Sequence, residues 1–359
     1  MSPSVASKPE REYRDGALVP KVNLRENPAV IRLTNEELFT GVTEAETIQV
    51  ALQYFHQDGF VCLENAIPDE IVDKLYDQMN ADNVKYVNSK HARYIQGEAV
   101  KNMSQKMPLT DEHVTEEIYA NKHLMSVLEN ILGPRPELRF VSSNVALGGA
   151  TMRQAIHADS WHAVPDMPFG IVVNIFLNDT YPENGATQVW LGTHEHQRRD
   201  QHINDHSAWI REDRFQERAK VRPPLQPTLR KGTICIRDLR LWHSGMPNHT
   251  DKPRIMTSVD YFAQWYRCPM RVGFPRHLKA KMEKWDKVSL AGVDWIDDDV
   301  DYLTIPYTLN LTQDPASYKI QTEKGTQDKR ARETGVYLAD AIPNEHNWYF
   351  GPKETKAVA

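Results

Sequence analysis

Apolar positions recur at helical spacing in the first third of this chain and at strand spacing in the middle. Ile48, Ala51, Leu52 and Phe55 line one helical face, and Thr43 stands where an N-cap belongs. Residues 59–63 form a continuous apolar run of strand length. Pro68 then opens a second helix carrying Ile71, Leu75 and Met79. A third pattern, Ile118, Leu124, Val127, Leu128 and Ile131, stops before Gly133-Pro134. From about residue 137 the period shortens, with candidate strands at 138–141, 144–147, 154–156, 170–177, 188–191, 232–236 and 255–262.

Many short strands behind a helical preface predict a mainly β protein with flanking helices, its core two facing sheets in a jelly roll (a double-stranded β-helix). Such a closed antiparallel architecture holds a site in its mouth. Residues 1–42 are polar and proline-punctuated apart from the patch at 29–33, and read as a tail that partly wraps the domain. Residues 43–350 then form a single domain, with the jelly-roll core at about 137–265 and a C-terminal extension at 266–350; 351–359 are a second tail. The polar stretch 195–230 reads as a long insertion between strands. The segment after Pro275 has no clean period and is expected on the outside or over the site.

Composition narrows the partners. At 359 residues, with 40% hydrophobic and 26% charged positions, the chain is long enough for a substantial core. A net charge of −6 without a dense basic run argues against nucleic acid. No apolar run approaches the roughly 20 residues that cross a bilayer. The first residues lack an apolar leader, and the C-terminal Ala357-Val358-Ala359 is not a Ser-Lys-Leu address. Cys62, Cys235 and Cys268 build no disulfide framework and read as buried thiols of a reducing compartment, so the cytoplasm is expected. The expected partner is a small molecule, with a homodimer left open.

The candidate chemistry lies in His157-Ala158-Asp159 and in Trp242-His243-Ser244-Gly245. Residues two apart on a strand point to the same side, so His157 and Asp159 can converge on one ion. With His243 from a distant strand they would offer two imidazoles and a carboxylate to one face of Fe(II), leaving the opposite face open. Taken alone, the same residues better describe a hydrogen-bonded surface pair and a core histidine. Arg254 stands 11 residues after His243, room enough for a turn and a neighbouring strand. A planar guanidinium is the group best suited to a carboxylate.

Several separated motifs together resemble the phytanoyl-CoA dioxygenase-like family of Fe(II)/2-oxoglutarate oxygenases, a cupin-like jelly-roll group. Tyr54-Phe55-His56-Gln57-Asp58-Gly59-Phe60-Val61 is similar to its opening helix and strand. Asn184-Gly185-Ala186-Thr187 followed by Leu191-Gly192-Thr193-His194, and Trp242-His243-Ser244-Gly245 with Asn248 and Arg254, are similar to its later segments. The resemblance spans about residues 46 to 265. It implies His157, Asp159 and His243 as catalytic iron ligands and Arg254 as the partner of the distal carboxylate of 2-oxoglutarate. Gln154 and Thr187 would add hydrogen bonds to that cosubstrate, with O2 as the second cosubstrate. Leu191 and Thr193 replace the proline and serine of many relatives, which bears on loop stiffness and removes no ligand. Halogenating members lack the carboxylate of Asp159, so its presence implies hydroxylation, desaturation or rearrangement.

The implied reaction is oxidation of an unactivated C–H bond of a small organic molecule with release of succinate and CO2. A secondary metabolite of the fungal biosynthetic kind is expected over an acyl-CoA. A CoA thioester would favour a basic entrance for its phosphates; Lys101 and Lys106 are the only nearby hints and read as ordinary solvated charges. Met152, Trp161, His162 and Asn174 are candidates for the substrate pocket from their positions around the first motif. Glu195 and His196 beside His194 lack the spacing of a zinc protease and are expected in an exposed loop. Two other classes stay open: a non-catalytic jelly-roll binding protein, and a zinc hydrolase with the same three ligands.

Overall fold

The computed structural model describes residues 11–14, 17–20, 27–160, 166–195, 199–203 and 208–305. Strands β1 (Arg11–Arg14) and β2 (Ala17–Pro20) form a hairpin. Strand β3 (Ala29–Arg32) follows, then helix α1 (Asn35–Thr40), which opens on a Thr34/Glu37 capping box. Helix α2 (Ala45–Asp58) is capped at Glu44, one residue beyond the expected Thr43, and ends at Gly59 with φ +69°. Strand β4 (Phe60–Glu64), helix α3 (Asp69–Tyr86) and the short β5 (Asn102–Met103) come next.

The third predicted helix is two: α4 (Glu116–Tyr119) and α5 (Lys122–Leu132). Asn121 divides them, its side chain accepting from the backbone N–H groups of His123 and Leu124 and so starting a new helix. The strands expected at 138–141 and 144–147 are one, β6 (Glu137–Ala146). Ser142 and Ser143, which read as turn residues, are held inside it. Ser143 donates to the Gln105 carbonyl, and the Ser142 hydroxyl lies 3.1 Å from that of Ser104. Strands β7 (Gly170–Ile175) and β8 (Gln188–Val189) follow, and the 195–230 insertion holds helix α6 (Glu212–Val221). Strands β9 (Ile234–Asp238), β10 (His243–Ser244) and β11 (Arg254–Phe262) complete the core. In the extension, β12 (Val272–Pro275) and β13 (Val293–Ile296) pair in parallel around helix α7 (Lys279–Met282).

Two sheets face each other. The major sheet has seven strands in the order β3-β4-β9-β7-β11-β6-β5. The smaller layer is built on β8 and β10, extended by bridges from His157 to His243 and Trp209 and from Val189 to Leu225. This is the jelly roll the sequence predicts. Alternation sorts the side chains of the major sheet. Val61, Leu63, Ile234, Ile236, Val259 and Tyr261 join Phe55, Leu75, Met79 and Leu128 of the helices in the main core. Phe60, Cys62, Cys235, Phe176 and Met256, on the opposite face, pack with Val189, Leu191 and Leu241 of the smaller layer. The three cysteines are buried thiols. The extension packs on the outside: Trp285 stacks on Tyr119, and Phe274, Leu278 and Met282 enter the main core.

Candidate metal centre

Residues 154–158 run beside β10 as an irregular strip. Gln154 N–H donates to the Gly245 carbonyl, and His157 and His243 exchange both backbone hydrogen bonds. Directly opposed antiparallel residues bring their side chains together, and the two imidazole centroids are 4.2 Å apart. Asp159, two residues on, falls on the same side. Its Oδ1 lies 3.8 Å from His157 Nε2 and 3.7 Å from His243 Nε2. Two atoms each about 2.1 Å from one ion can be at most about 4.2 Å apart, so one ion can bridge either pair. The ligand atoms of all three residues lie within 4.8 Å of one another.

The surroundings leave these groups in the protonation state a metal would need. His157 Nδ1 is 2.8 Å from the Ala155 carbonyl and His243 Nδ1 is 3.0 Å from that of Leu241. A carbonyl accepts only, so His157 Nδ1 carries the proton and its Nε2 lone pair faces Asp159; His243 Nδ1 lies between the Leu241 carbonyl and the Arg237 Nη1 donor at 3.3 Å, the shorter carbonyl contact favouring the same tautomer. Burial pushes both imidazoles below their ordinary pKa; the Arg237 cation adds to this at His243, which lies well below. Both are therefore neutral near pH 7, as a metal requires. Burial alone would raise Asp159. The guanidinium of Arg237, whose Nη2 donates to Asp159 Oδ2 at 2.8 Å, overcomes it with help from both histidines and holds the carboxyl well below the usual range.

Arg254 opens β11, and alternation puts it on the same inner face as Met256, Ser258 and Asp260. It is completely buried. Its guanidinium donates to the Asn144 carbonyl, the Asn144 side-chain oxygen and the Gly185 carbonyl. Its Nε has no partner, and no carboxylate among the described residues pairs with it. Burial pushes its pKa down to about 10. A desolvated cation answered only by neutral oxygens is incomplete without an anion. The Asn184-Gly185 turn exists to deliver one of those oxygens. Asn184 ties the turn to Asp179 and Tyr181, and Gly185 takes φ +81° where an added Cβ would stand 2.8 Å from the Met246 carbonyl.

The other expected residues divide. Gln154 Oε1 accepts from Gly245 N–H at 2.8 Å, so that oxygen clamps the strip to β10. Thr187 is half-buried beside β8. Met152 is half-buried and packs with Val100 and Ala155. Asn174 is buried and spends its amide on the Thr257 carbonyl, joining β7 to β11. Trp161 and His162 lie outside the described residues, as does His196. His194 is buried, with Nε2 on the His56 carbonyl, while Glu195 is exposed. Thr193 accepts from Trp242 N–H and donates to the Trp190 carbonyl, a structural task.

Sequence reasoning missed Arg237 and Asp260. Register puts Arg237, Val172, Asp260 and Phe140 in one row across β9, β7, β11 and β6. Asp260 is buried, and burial, then the Asp159 charge, pushes its carboxyl up to about 8. On the same face Phe140, Asn144 and Ser258 are only half-buried, and Asp159 keeps 29% of its side chain exposed, so the inner face opens to solvent there.

A closed two-sheet barrel with two imidazoles, one carboxylate and a buried guanidinium on its inner side defines a metal-site jelly roll of the oxygenase type. The chain belongs to the phytanoyl-CoA dioxygenase (PhyH) family, whose model matches residues 55–256. Among solved structures it is similar to EctD from S. alaskensis, solved with 2-oxoglutarate and 5-hydroxyectoine, at 20% identity over 72% of this chain and 85% of that one, TM-score 0.49. It is also similar to the non-heme alpha ketoglutarate dependent epimerase SnoN from nogalamycin biosynthesis, at 17% identity over 61% and 82%, TM-score 0.47. AviO1 from Streptomyces viridochromogenes Tue57 matches at 15% identity over 60% and 94%, TM-score 0.46. Among the described residues no helix is long and apolar enough to cross a membrane.

Proposed function

We propose that the protein is an Fe(II)- and 2-oxoglutarate-dependent dioxygenase that oxidises an unactivated C–H bond of a small organic molecule, releasing succinate and CO2. The observation that carries this reading is Arg254: a fully buried guanidinium with an unpartnered Nε and no carboxylate partner among the described residues, on the inner side of the same barrel as the candidate triad. A 2-oxo diacid answers both features at once, its distal carboxylate on Arg254 and its other end toward the triad.

His157, Asp159 and His243 would hold the iron. Three donors leave half of an octahedral shell for cosubstrates. When bound, ferrous iron supplies the activation of O2 that the side chains cannot. Arg237 keeps Asp159 ionised and aimed. Gln154 fixes the strip that carries His157, and with Thr187 it is proposed to contact the cosubstrate. Met152 and Asn174, with Trp161 and His162, are the proposed substrate-side residues. We favour hydroxylation, desaturation or rearrangement of a secondary metabolite.

A zinc hydrolase would use the triad alone and leave Arg254 without a task. The two readings separate cleanly. With 2-oxoglutarate labelled at C1, the purified protein is expected to release labelled CO2 only when Fe(II) and O2 are both present. No labelled CO2 under any of these conditions would remove the oxygenase reading and leave the hydrolase.

A further inference from the structure

The inner-face row that begins with Arg237 also holds a carboxyl that no arginine or lysine bonds among the described residues. Asp260 of β11 stands directly opposite Val172 of β7 and Phe140 of β6, and opposed residues of a ladder present their side chains to the same side. Arg254 and Ser258 share its parity along β11. Asp260 therefore belongs to the cavity side of the sheet, where it keeps 6% of its surface exposed.

The other buried acids are matched. Asp58, Glu137 and Asp238 each have an arginine at 2.6–2.7 Å, and Glu37 and Asp82 have a donor on each oxygen. Among the described residues Asp260 has one hydroxyl, that of half-buried Ser258, which donates to Oδ1 at 3.1 Å. Arg237 acts on it only from beyond β7, about 10 Å across the sheet, and spends its Nη2 on Asp159. Arg254 is six residues back along the strand, about 20 Å away, so neither it nor a 2-oxo acid bound there reaches Asp260. Val172 and Phe140 on either side are apolar.

A carboxylate in this place has lost water and gained one hydroxyl, so burial, then the Asp159 charge, holds its proton on until about 8. An arriving cation reverses that balance. It forms a charge-assisted pair with the carboxylate, and the proton leaves to solvent. A neutral substrate oxygen gains less, an ordinary hydrogen bond from the protonated group.

We propose that Asp260 is a substrate-binding residue that receives a protonated amine, so that the C–H bond oxidised belongs to a molecule with an apolar body and a basic nitrogen. This rests on the oxygenase reading above.

Cyclohexylamine and cyclohexanol, alike in shape, test it by titration calorimetry on the full chain loaded with Fe(II) and 2-oxoglutarate under argon. The amine is expected to bind about tenfold more tightly than the alcohol. In Asp260→Asn, which keeps the shape of the protonated carboxyl, that ratio falls to about one. In the wild type near pH 7, titration in two buffers of different ionisation heat is expected to show proton release with the amine and none with the alcohol. A ratio near one in the wild type, a ratio unmoved in Asp260→Asn, amine binding without proton release, or binding of neither probe overturns the assignment. An alcohol preference that Asp260→Asn abolishes also overturns it, in favour of a substrate oxygen. Absence of a ferrous–2-oxoglutarate absorption band before titration would instead overturn the oxygenase reading, which the comparison of the two probes does not depend on.

Discussion

At the scale of single residues, charge placement decides what the inner face can do. Arg237 offsets the burial of Asp159 and leaves it an ionised carboxylate. Arg237→Met is expected to weaken ferrous ion binding by about 10–100-fold, as loss of a group orienting a ligand does, while the barrel still folds. A chelator-competition titration measures this; unchanged affinity would remove Arg237 from the site. Asp260 carries the opposite consequence. Its folded pKa, pushed up to about 8, lies above the ordinary 3.8, so the folded state binds the extra proton. The stability this contributes is full below about 3.8 and is lost as pH rises towards about 8. Metal-free protein should therefore lose stability across that window, and Asp260→Asn should flatten the slope by up to about 1.4 kcal/mol per pH unit. Denaturant melts of both forms between pH 5 and 8 check it, and parallel slopes would refute it. Sequence showed His157, Asp159, His243 and Arg254 because each sits in a motif of recognisable order. Arg237 was hidden in the apolar run Ile234-Cys235-Ile236, although a charge inside a buried strand is itself a sign of a partner.

At the scale of elements, turns and register place what the motifs name. The Asn184-Gly185 turn carries no ligand, yet its carbonyl holds Arg254. Gly185→Ala would force a side chain into the left-handed region and against the Met246 carbonyl. A loss of about 1–2 kcal/mol of stability is expected, together with weaker 2-oxoglutarate binding. Thermal melts with and without the cosubstrate would show both, and a variant with wild-type affinity would separate the turn from the site. Helix and strand types were largely legible from periodicity. Boundaries failed where tertiary hydrogen bonds overrule local chemistry: Ser142-Ser143 looks like a turn and is strand, and Asn121 splits one apparent helix into two. The pairing of Arg93 with Ser104 was not legible at all, because register comes from how strands meet and not from spacing along the chain.

At the scale of the whole molecule, the helices and the extension brace one side of the major sheet and leave its other face for chemistry. Trp285 stacks on Tyr119, and Tyr302 donates to Asp82 of α3 at 2.6 Å, so the extension locks the helical layer behind the sheet. Between the two sheets lie a neutral pair of imidazoles with one carboxylate, carried by the smaller layer, and the buried Arg254, carried by the major sheet. On the proposed reading, that placement would let a metal and a 2-oxo acid be held side by side. Anaerobic titration of the metal-free protein with Fe(II) and then 2-oxoglutarate tests this arrangement most directly. The account predicts a visible charge-transfer band that saturates with one equivalent of each, disappears in His157→Ala, and in Arg254→Met needs about 100-fold more 2-oxoglutarate to form. A wild-type protein that binds Fe(II) and develops no band with 2-oxoglutarate would contradict it.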